Sequence, residues 1–389
     1  MRRASLLLIL LVATAVFAAP ATADVRKGPR GAAFYKPPKL KGKHGALIWA
    51  RRQTGSDALK GASRNALLLY RSTSVDGKKT AVSGSLALPK GKAPKGGWPV
   101  ITYAHGTTGS ADACAPTRGY DAGDLVSYAY PLLRRWLKAG YAVVRTDYDG
   151  LGTPGVHQYL LGESEGRSVL DAVRAARAYT RTLSKRYVIA GHSQGGHAAL
   201  FAAALAPKWV PDLRLRGTVA FAPASHLAPQ FEATLGISTP GAGLGAIVGL
   251  GLRAVDTGDP GLDVPSLLTP QAAPLYPQTT TRCYDALSKP DSFGGLPLNQ
   301  ILRSNANLAP LLATIAASDP EHLRMRTPLR VEQGTADGTV FKVFTDQLVD
   351  EYRTNGVKVT YKTYDGVSHG GVVASGAKDS ATWIKGRFR

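Results

Sequence analysis

The sequence predicts an α/β fold, with a mostly parallel central sheet flanked by helices and interrupted by one insertion. Three observations carry this. Short apolar runs alternate with longer amphipathic stretches through the middle of the chain, the pattern of strands joined by crossover helices. The run at 99–104 (Pro-Val-Ile-Thr-Tyr-Ala) is apolar almost throughout, as a strand covered on both faces must be. The alternation stops near Pro223 and resumes near residue 326, leaving a Gly/Pro-rich segment between.

The 389 residues are 44% hydrophobic and 19% charged, a composition able to bury a large core. Residues 1–23 read as an export leader: Arg2 and Arg3 are its positive start, 6–18 its apolar centre, and Ala21-Thr22-Ala23 a small-residue cleavage site. Cleavage near Ala23 implies a secreted or envelope-associated mature chain without a transmembrane segment, since the apolar run is short of the ~20 residues a span needs. The Arg-Arg pair leaves open a twin-arginine route. The net charge of +21 suits contact with anionic surfaces as well as plain solubility, and much of it lies in 26–43 and 78–95. No aromatic-basic interleaving points to nucleic acid.

Six strands are expected before the insertion. Residues 64–75 and 81–88 form a hairpin-like pair around the turn Asp76-Gly77. Then come 99–104, 141–147, 187–190 and 216–222, with helices near 125–139, 164–183 and 196–205. After the insertion the rhythm gives a strand at 329–333, a helix near 340–354, a strand at 357–364 and a helix near 374–386. The chain thus divides into the leader, a first core part at 24–223, a cap at 224–325 after the sixth core strand, and a second core part at 326–389.

Gly191-His192-Ser193-Gln194-Gly195 lies between the strand at 187–190 and an alanine-rich helix. A serine held between strand and helix by glycines is forced into strained backbone angles with its hydroxyl exposed. The same five-residue pattern recurs around Ser164 and Ser368. Ser164 has Glu163 and Glu165 beside it, which oppose an alkoxide, and no apolar strand before it, so it reads as a helix start. Ser368 lies too near the C-terminus for two partners to follow. Ser193 is therefore the candidate nucleophile.

A serine needs a base within reach and a group that orients the base. Asp337, in Gln-Gly-Thr-Ala-Asp-Gly just after an apolar strand, is the candidate acid, with Asp365 as runner-up. His369, on the loop after the last strand, is the candidate base. His192 and His197 flank the nucleophile but point elsewhere, His105 reads as structural, and His157 and His226 are candidates for the pocket wall. The oxyanion donors are expected to be the backbone N–H groups of Gln194 and Thr107, with the Thr107 and Thr108 hydroxyls as added contacts. No metal cluster is evident; Asp256, Asp259 and Asp263 read as a solvated turn rather than a calcium loop.

With these residues in place the chain resembles an α/β-hydrolase, and more narrowly the secretory lipases of the fungal lipase A type. The resemblance rests on Tyr-Ala-His-Gly-Thr-Thr-Gly (103–109), Asp-Tyr-Asp-Gly-Leu-Gly (147–152), the helix at 168–177, Gly-His-Ser-Gln-Gly-Gly (191–196), and the Asp337 and His369 loops. It implies hydrolysis of acyl or lipid esters, a cap over the site, and no cofactor. The same chemistry serves serine peptidases and acyltransferases, and the fold also serves binding proteins; a complete Ser/Asp/His set argues against the last. The insertion is expected to form the acyl pocket with Phe231, Leu244, Ile247, Val248 and Leu250. Cys114 and Cys283 are the only cysteines, and export places them in an oxidising compartment, so a disulfide is predicted. Closing so long a loop contributes on the order of 5 kcal/mol.

Overall fold

The computed structural model describes residues 25–120 and 126–389. The leader at 1–23 and the first residue of the helix expected from 125 lie outside them. Among the described residues the strands are β1 (Leu47–Arg52), β2 (Arg64–Thr73), β3 (Lys79–Leu88), β4 (Trp98–Ala104), β5 (Ala142–Thr146), β6 (Leu183–His192), β7 (Arg214–Phe221), β8 (Leu329–Gly334) and β9 (Val359–Tyr364). They form one sheet in the order β1-β2-β3-β5-β4-β6-β7-β8-β9. β1, β2 and β3 are antiparallel, β3 meets β5 antiparallel, and every pairing from β5 to β9 is parallel.

The expected mixed sheet is present, with one strand more. β1 follows a Pro/Gly/Lys-rich stretch and has a register irregularity between Leu47 and Trp49, which hides the alternation a half-buried edge strand would show. The segment expected as a cap after the sixth strand therefore follows the seventh strand of the sheet.

Among the described residues the α-helices of the first half are α1 (Tyr130–Lys138), α2 (Gly162–Tyr179) and α3 (Gln194–Trp209). α2 stops four residues before the expected end because Thr180 is extended (φ −147°) and Leu183 pairs with Trp98 instead. Five helices follow β7: α4 (Leu227–Leu235), α5 (Gly243–Gly258), α6 (Val264–Leu267), α7 (Tyr284–Leu287) and α8 (Ala309–Ala316). The chain ends with α9 (Lys342–Thr354), α10 (Gly371–Ser375) and α11 (Ala377–Arg387). One C-terminal helix was expected; it is broken at Gly376, where a side chain would run into the Glu332 carboxylate.

α2, α3 and α9 cover one face of the sheet, burying Val169, Val173, Leu200 and Leu348, while α1, α10 and α11 cover the other with Leu133, Trp136, Val372 and Ile384. Each such side chain contributes about 1.5–3 kcal/mol. The helices at 227–316 bury their own cluster around Leu250, Leu252, Phe293 and Leu298. The Cys114–Cys283 disulfide joins this layer to the loop after β4.

α2 and α3 approach unusually closely. A Cβ on Gly162 would lie 2.3 Å from the Phe201 ring, and one on Gly166 would lie 2.9 Å from the backbone nitrogen of Ala202. Backbone cannot yield as a flexible side chain can. Gly166→Val is expected to destabilise the fold by about 2–3 kcal/mol, read as a lower urea midpoint with unchanged slope.

Candidate active site

The parallel register brings the site together. Ala104 pairs with Gly191, His192 with Phe221, Phe221 with Glu332, and Gly334 with Tyr364. The loops after β4, β6, β8 and β9 therefore leave the sheet along one rim.

Ser193 sits between β6 and α3 at φ 58°, ψ −120°, a region costing about 1–3 kcal/mol for a residue with a side chain. The crowding around it explains the glycines. A Cβ on Gly191 would lie 1.9 Å from the Gly195 carbonyl oxygen, and one on Gly195 would lie 2.0 Å from that of Ala104. Three backbone hydrogen bonds hold the turn: Ser193 N–H donates to Phe221 (3.0 Å), and the Ser193 carbonyl accepts from His197 (3.0 Å) and Ala224 (3.3 Å).

His369 Nδ1 donates to Asp337 Oδ2 at 2.8 Å. The carboxylate also accepts from Gln333 Nε2 (3.0 Å) and from the backbone N–H groups of Thr339 and Val340 (2.9 Å each). Asp365, the runner-up acid, is exposed and bonded to the Thr335 hydroxyl instead. Among the described residues no hydrogen bond joins Ser193 Oγ to His369, a contact that commonly tightens only in a substrate complex. The two are linked through His192. Its ring lies 4.6 Å from that of His369, its Nε2 donates to the His369 carbonyl at 3.0 Å, and its Nδ1 accepts from the Tyr128 hydroxyl at 2.6 Å. Burial, then the neighbouring His369, pushes the His192 pKa well below its usual value, and burial pushes Tyr128 up to about 12. Both stay neutral, as this donor and acceptor pattern requires. Sequence reasoning missed this strut, whose one visible signal was a histidine next to Ser193.

Gln194 is the first residue of α3, where backbone N–H groups lack intrahelical acceptors. The loop carrying Thr107 passes directly beside it, since a Cβ on Gly106 would lie 3.4 Å from the His192 carbonyl oxygen. The Thr107 hydroxyl is within 2.9 Å of the Tyr159 hydroxyl. Thr108, expected as an added contact, lies off the cavity wall: it is 1% exposed, and its carbonyl accepts from Tyr284 N at 2.9 Å, which turns the residue into the helical layer. His105 is buried against the Gly106 carbonyl, and desolvation takes its pKa to about 4.

A mostly apolar cleft opens over Ser193 and Gln194. Its walls come from α4, α5 and α8, with Phe231, Leu244, Ile247 and Val248 among them. Leu250 is not. The cavity positions on α5 are 244, 247, 248, 251, 254 and 255, one helical stripe, and Leu250 lies on the far side, fully buried in the helical layer. His157 and His226 are also off the wall: His157 lies beneath Gln194, and His226 pairs with Glu351 at 3.2 Å. Asp256, Asp259 and Asp263 are engaged locally with Arg253, Gly261 N and Ser266 N.

Behind Asp337, Glu332 is fully buried beside the Arg330 guanidinium, and desolvation raises its pKa to about 7 despite that partner. The folded chain therefore holds a proton that the unfolded chain, near 4.5, has lost. Its contribution to stability declines as pH rises from about 4.5 through 7. Wild type should show a higher urea midpoint at pH 5 than at pH 8, and Glu332→Gln should narrow that difference.

The secretory lipase family model matches residues 123–262. Lipase A of Moesziomyces aphidis is 27% identical over 227 residues, covering 54% of this chain and 47% of that protein, so the chain spans about half of that relative's length. A relative from Mycobacterium tuberculosis, described as a probable inactive lipase, is 26% identical over 345 residues, covering 82% of this chain and 73% of that one. Candida antarctica lipase A in its closed state matches with a TM-score of 0.73 and 20% identity over 89% of this chain and 82% of that chain. At that identity the likeness shows the fold, which is the α/β-hydrolase fold.

Proposed function

We propose that this chain, a member of the secretory lipase family, is an exported serine hydrolase that cleaves carboxylic esters, with acylglycerols or similar acyl esters as substrates. The observation that carries the reading is a strained, glycine-flanked serine under an apolar cleft, on the same rim as a hydrogen-bonded His369–Asp337 pair. Ser193 Oγ attacks the ester carbonyl carbon while its proton passes to His369 Nε2. Asp337 holds the Nδ1–H tautomer and stabilises the imidazolium. The oxyanion faces the N–H groups of Gln194 and Thr107. Collapse of the tetrahedral intermediate releases the alcohol, which takes the proton from His369, and water repeats the sequence on the acyl-enzyme to free the acid.

The segment at 224–325 acts as a cap whose α4 and α5 stripe receives the acyl chain. Export is supported by the leader-like residues 1–23 and by the disulfide, which suits an oxidising compartment. Among the described residues no helix is long and apolar enough to cross a membrane.

The relative described as a probable inactive lipase favours one rival reading, a hydrolase-fold protein without catalysis. A fluorophosphonate separates the two by labelling Ser193 or failing to. Ser193→Ala should abolish both labelling and hydrolysis of a nitrophenyl ester, and Asp337→Asn and His369→Ala should each lose roughly 10⁴-fold or more in kcat. Normal turnover in Asp337→Asn would overturn the acid assignment.

Acyl preference should follow α5. Each methylene held in an apolar wall is worth about 0.8 kcal/mol, so Ile247→Asp should lower octanoate hydrolysis relative to acetate by at least ~10-fold. Leu250→Ala, on the opposite face, should cost about 2–5 kcal/mol of stability and leave that ratio unchanged.

A further inference from the structure

The Gly-x-Ser-x-Gly copy around Ser164 carries a carboxylate that this mechanism does not use. Glu165 lies in the first turn of α2 and is 1% exposed. Its Oε1 accepts from Gln194 Nε2 at 2.7 Å and from Leu160 N at 3.0 Å, and its Oε2 lies 3.3 Å from His197 Nδ1. The remaining amide donor of Gln194 reaches His157 Nε2 at 2.9 Å. That nitrogen is free to accept because His157 Nδ1 donates to the Asp149 carbonyl at 3.0 Å. Both hydrogens of the Gln194 amide are thus committed, one to Glu165 and one to His157.

We propose that Glu165 is a positioning residue for the oxyanion hole, gripping the Gln194 side chain from below so that its backbone N–H stays aimed at the reacting oxygen. The proposal rests on the ester-hydrolase reading. Gln194 follows Ser193 directly, so rotation of its backbone and of the strained serine turn are coupled. Without the clamp, the first peptide of α3 is held by the helix behind it and by the Ala224 N–H that donates to the Ser193 carbonyl at 3.3 Å. Packing alone does not require a carboxylate here, because Gly162 and Gly166 already set the α2–α3 approach and an apolar side chain would fill the space. The clamp also reaches the helical layer, since His197 Nε2 meets the Ser318 carbonyl at 2.8 Å just beyond α8. One buried carboxylate therefore ties the residue beside the nucleophile to the segment that covers it.

The test compares wild type, Glu165→Leu, which removes the acceptor at similar size, Gln194→Ala and the double variant in the full chain, using nitrophenyl butyrate and a trifluoromethyl ketone whose adduct places an oxyanion in the hole. Each single variant should lose roughly 10–100-fold in kcat, with KM within about twofold, because a misaimed donor affects the transition state alone. Ketone affinity should fall in proportion to kcat/KM. The double variant should lose no more than the worse single, since both changes break one contact. Unchanged kcat in a variant with the wild-type melting temperature, a KM rise at constant kcat, or additive losses in the double would each overturn the proposal. Should Glu165→Leu not fold, Gln194→Ala decides alone, since it keeps the backbone N–H and the α2–α3 contact; normal kcat there sinks the clamp. A wild type inert to both ester and fluorophosphonate takes down the parent reading with it, whereas an active wild type with unaffected variants removes only this inference.

Discussion

Everything at this site depends on one backbone conformation, the positive φ of Ser193 between β6 and α3. It is costly for a residue with a side chain, and it persists because the surroundings leave no alternative. The turn brings the Gly191 and Gly195 peptides into contact, and the first turn of α3 then runs against the end of β4. Those approaches are what allow the β4 loop to lie beside the serine. Parallel pairing of β6, β7, β8 and β9 adds the rest, because strands in register end at one level and deliver their loops to one rim.

Around this turn the polar groups are arranged in two directions. On one side the neutral His192 connects Tyr128 to the backbone of His369, so the residue before Ser193 supports the His369 loop. On the other side Gln194, the residue after it, is held by Glu165 and His157. In a low-dielectric interior a satisfied network of this kind is rigid, and a half-satisfied one is expensive. A strained turn supported at both neighbours is less able to relax than one supported by packing alone.

How much of this the sequence disclosed follows from the range of the interactions involved. The strand-turn-helix around Ser193, the hairpin of β2 and β3, and β4, β8 and β9 were legible because local pattern specifies them: apolar runs, Asp76-Gly77, glycines at fixed offsets. β1 was not, since its pairing partner and its irregularity supply what its own six residues lack. The helical layer read as a Gly/Pro-rich irregularity because the glycines of α5 answer to neighbours distant in sequence; Gly245 and Gly249 lie against Phe293. Leu250 was misplaced for a related reason. Composition suggested an apolar wall, but only the phase of α5 relative to the cleft decides which of its residues face inward. Asp337 was preferred to Asp365 on loop position, and the hydrogen bond to His369 agrees with that preference in geometry, while the roles of both residues belong to the proposed chemistry. The buried partners of Gln194 and His192 had no signal of their own, because a glutamate in a helix turn and a tyrosine 64 residues from its histidine look like any others.

The three copies of Gly-x-Ser-x-Gly make the same point from the other side. At Ser193 the glycines are required by the crossing of strand, helix and loop backbones. At Ser164 they are required by the approach of α2 to α3, and the serine hydroxyl is buried 3.5 Å from Asp149. At Ser368 the first glycine supplies a turn at φ 66°, and the second meets nothing that a Cβ would touch. One pattern thus answers to three physical causes. What the pattern reports is crowding or backbone curvature near a small polar residue. Only at Ser193 does the serine emerge at a rim shared with the His369–Asp337 pair and the loop after β4. The copy at Ser164 shows that the other outcome has a use: by letting two helices nearly touch, its glycines bring Glu165 within reach of the residue that follows Ser193.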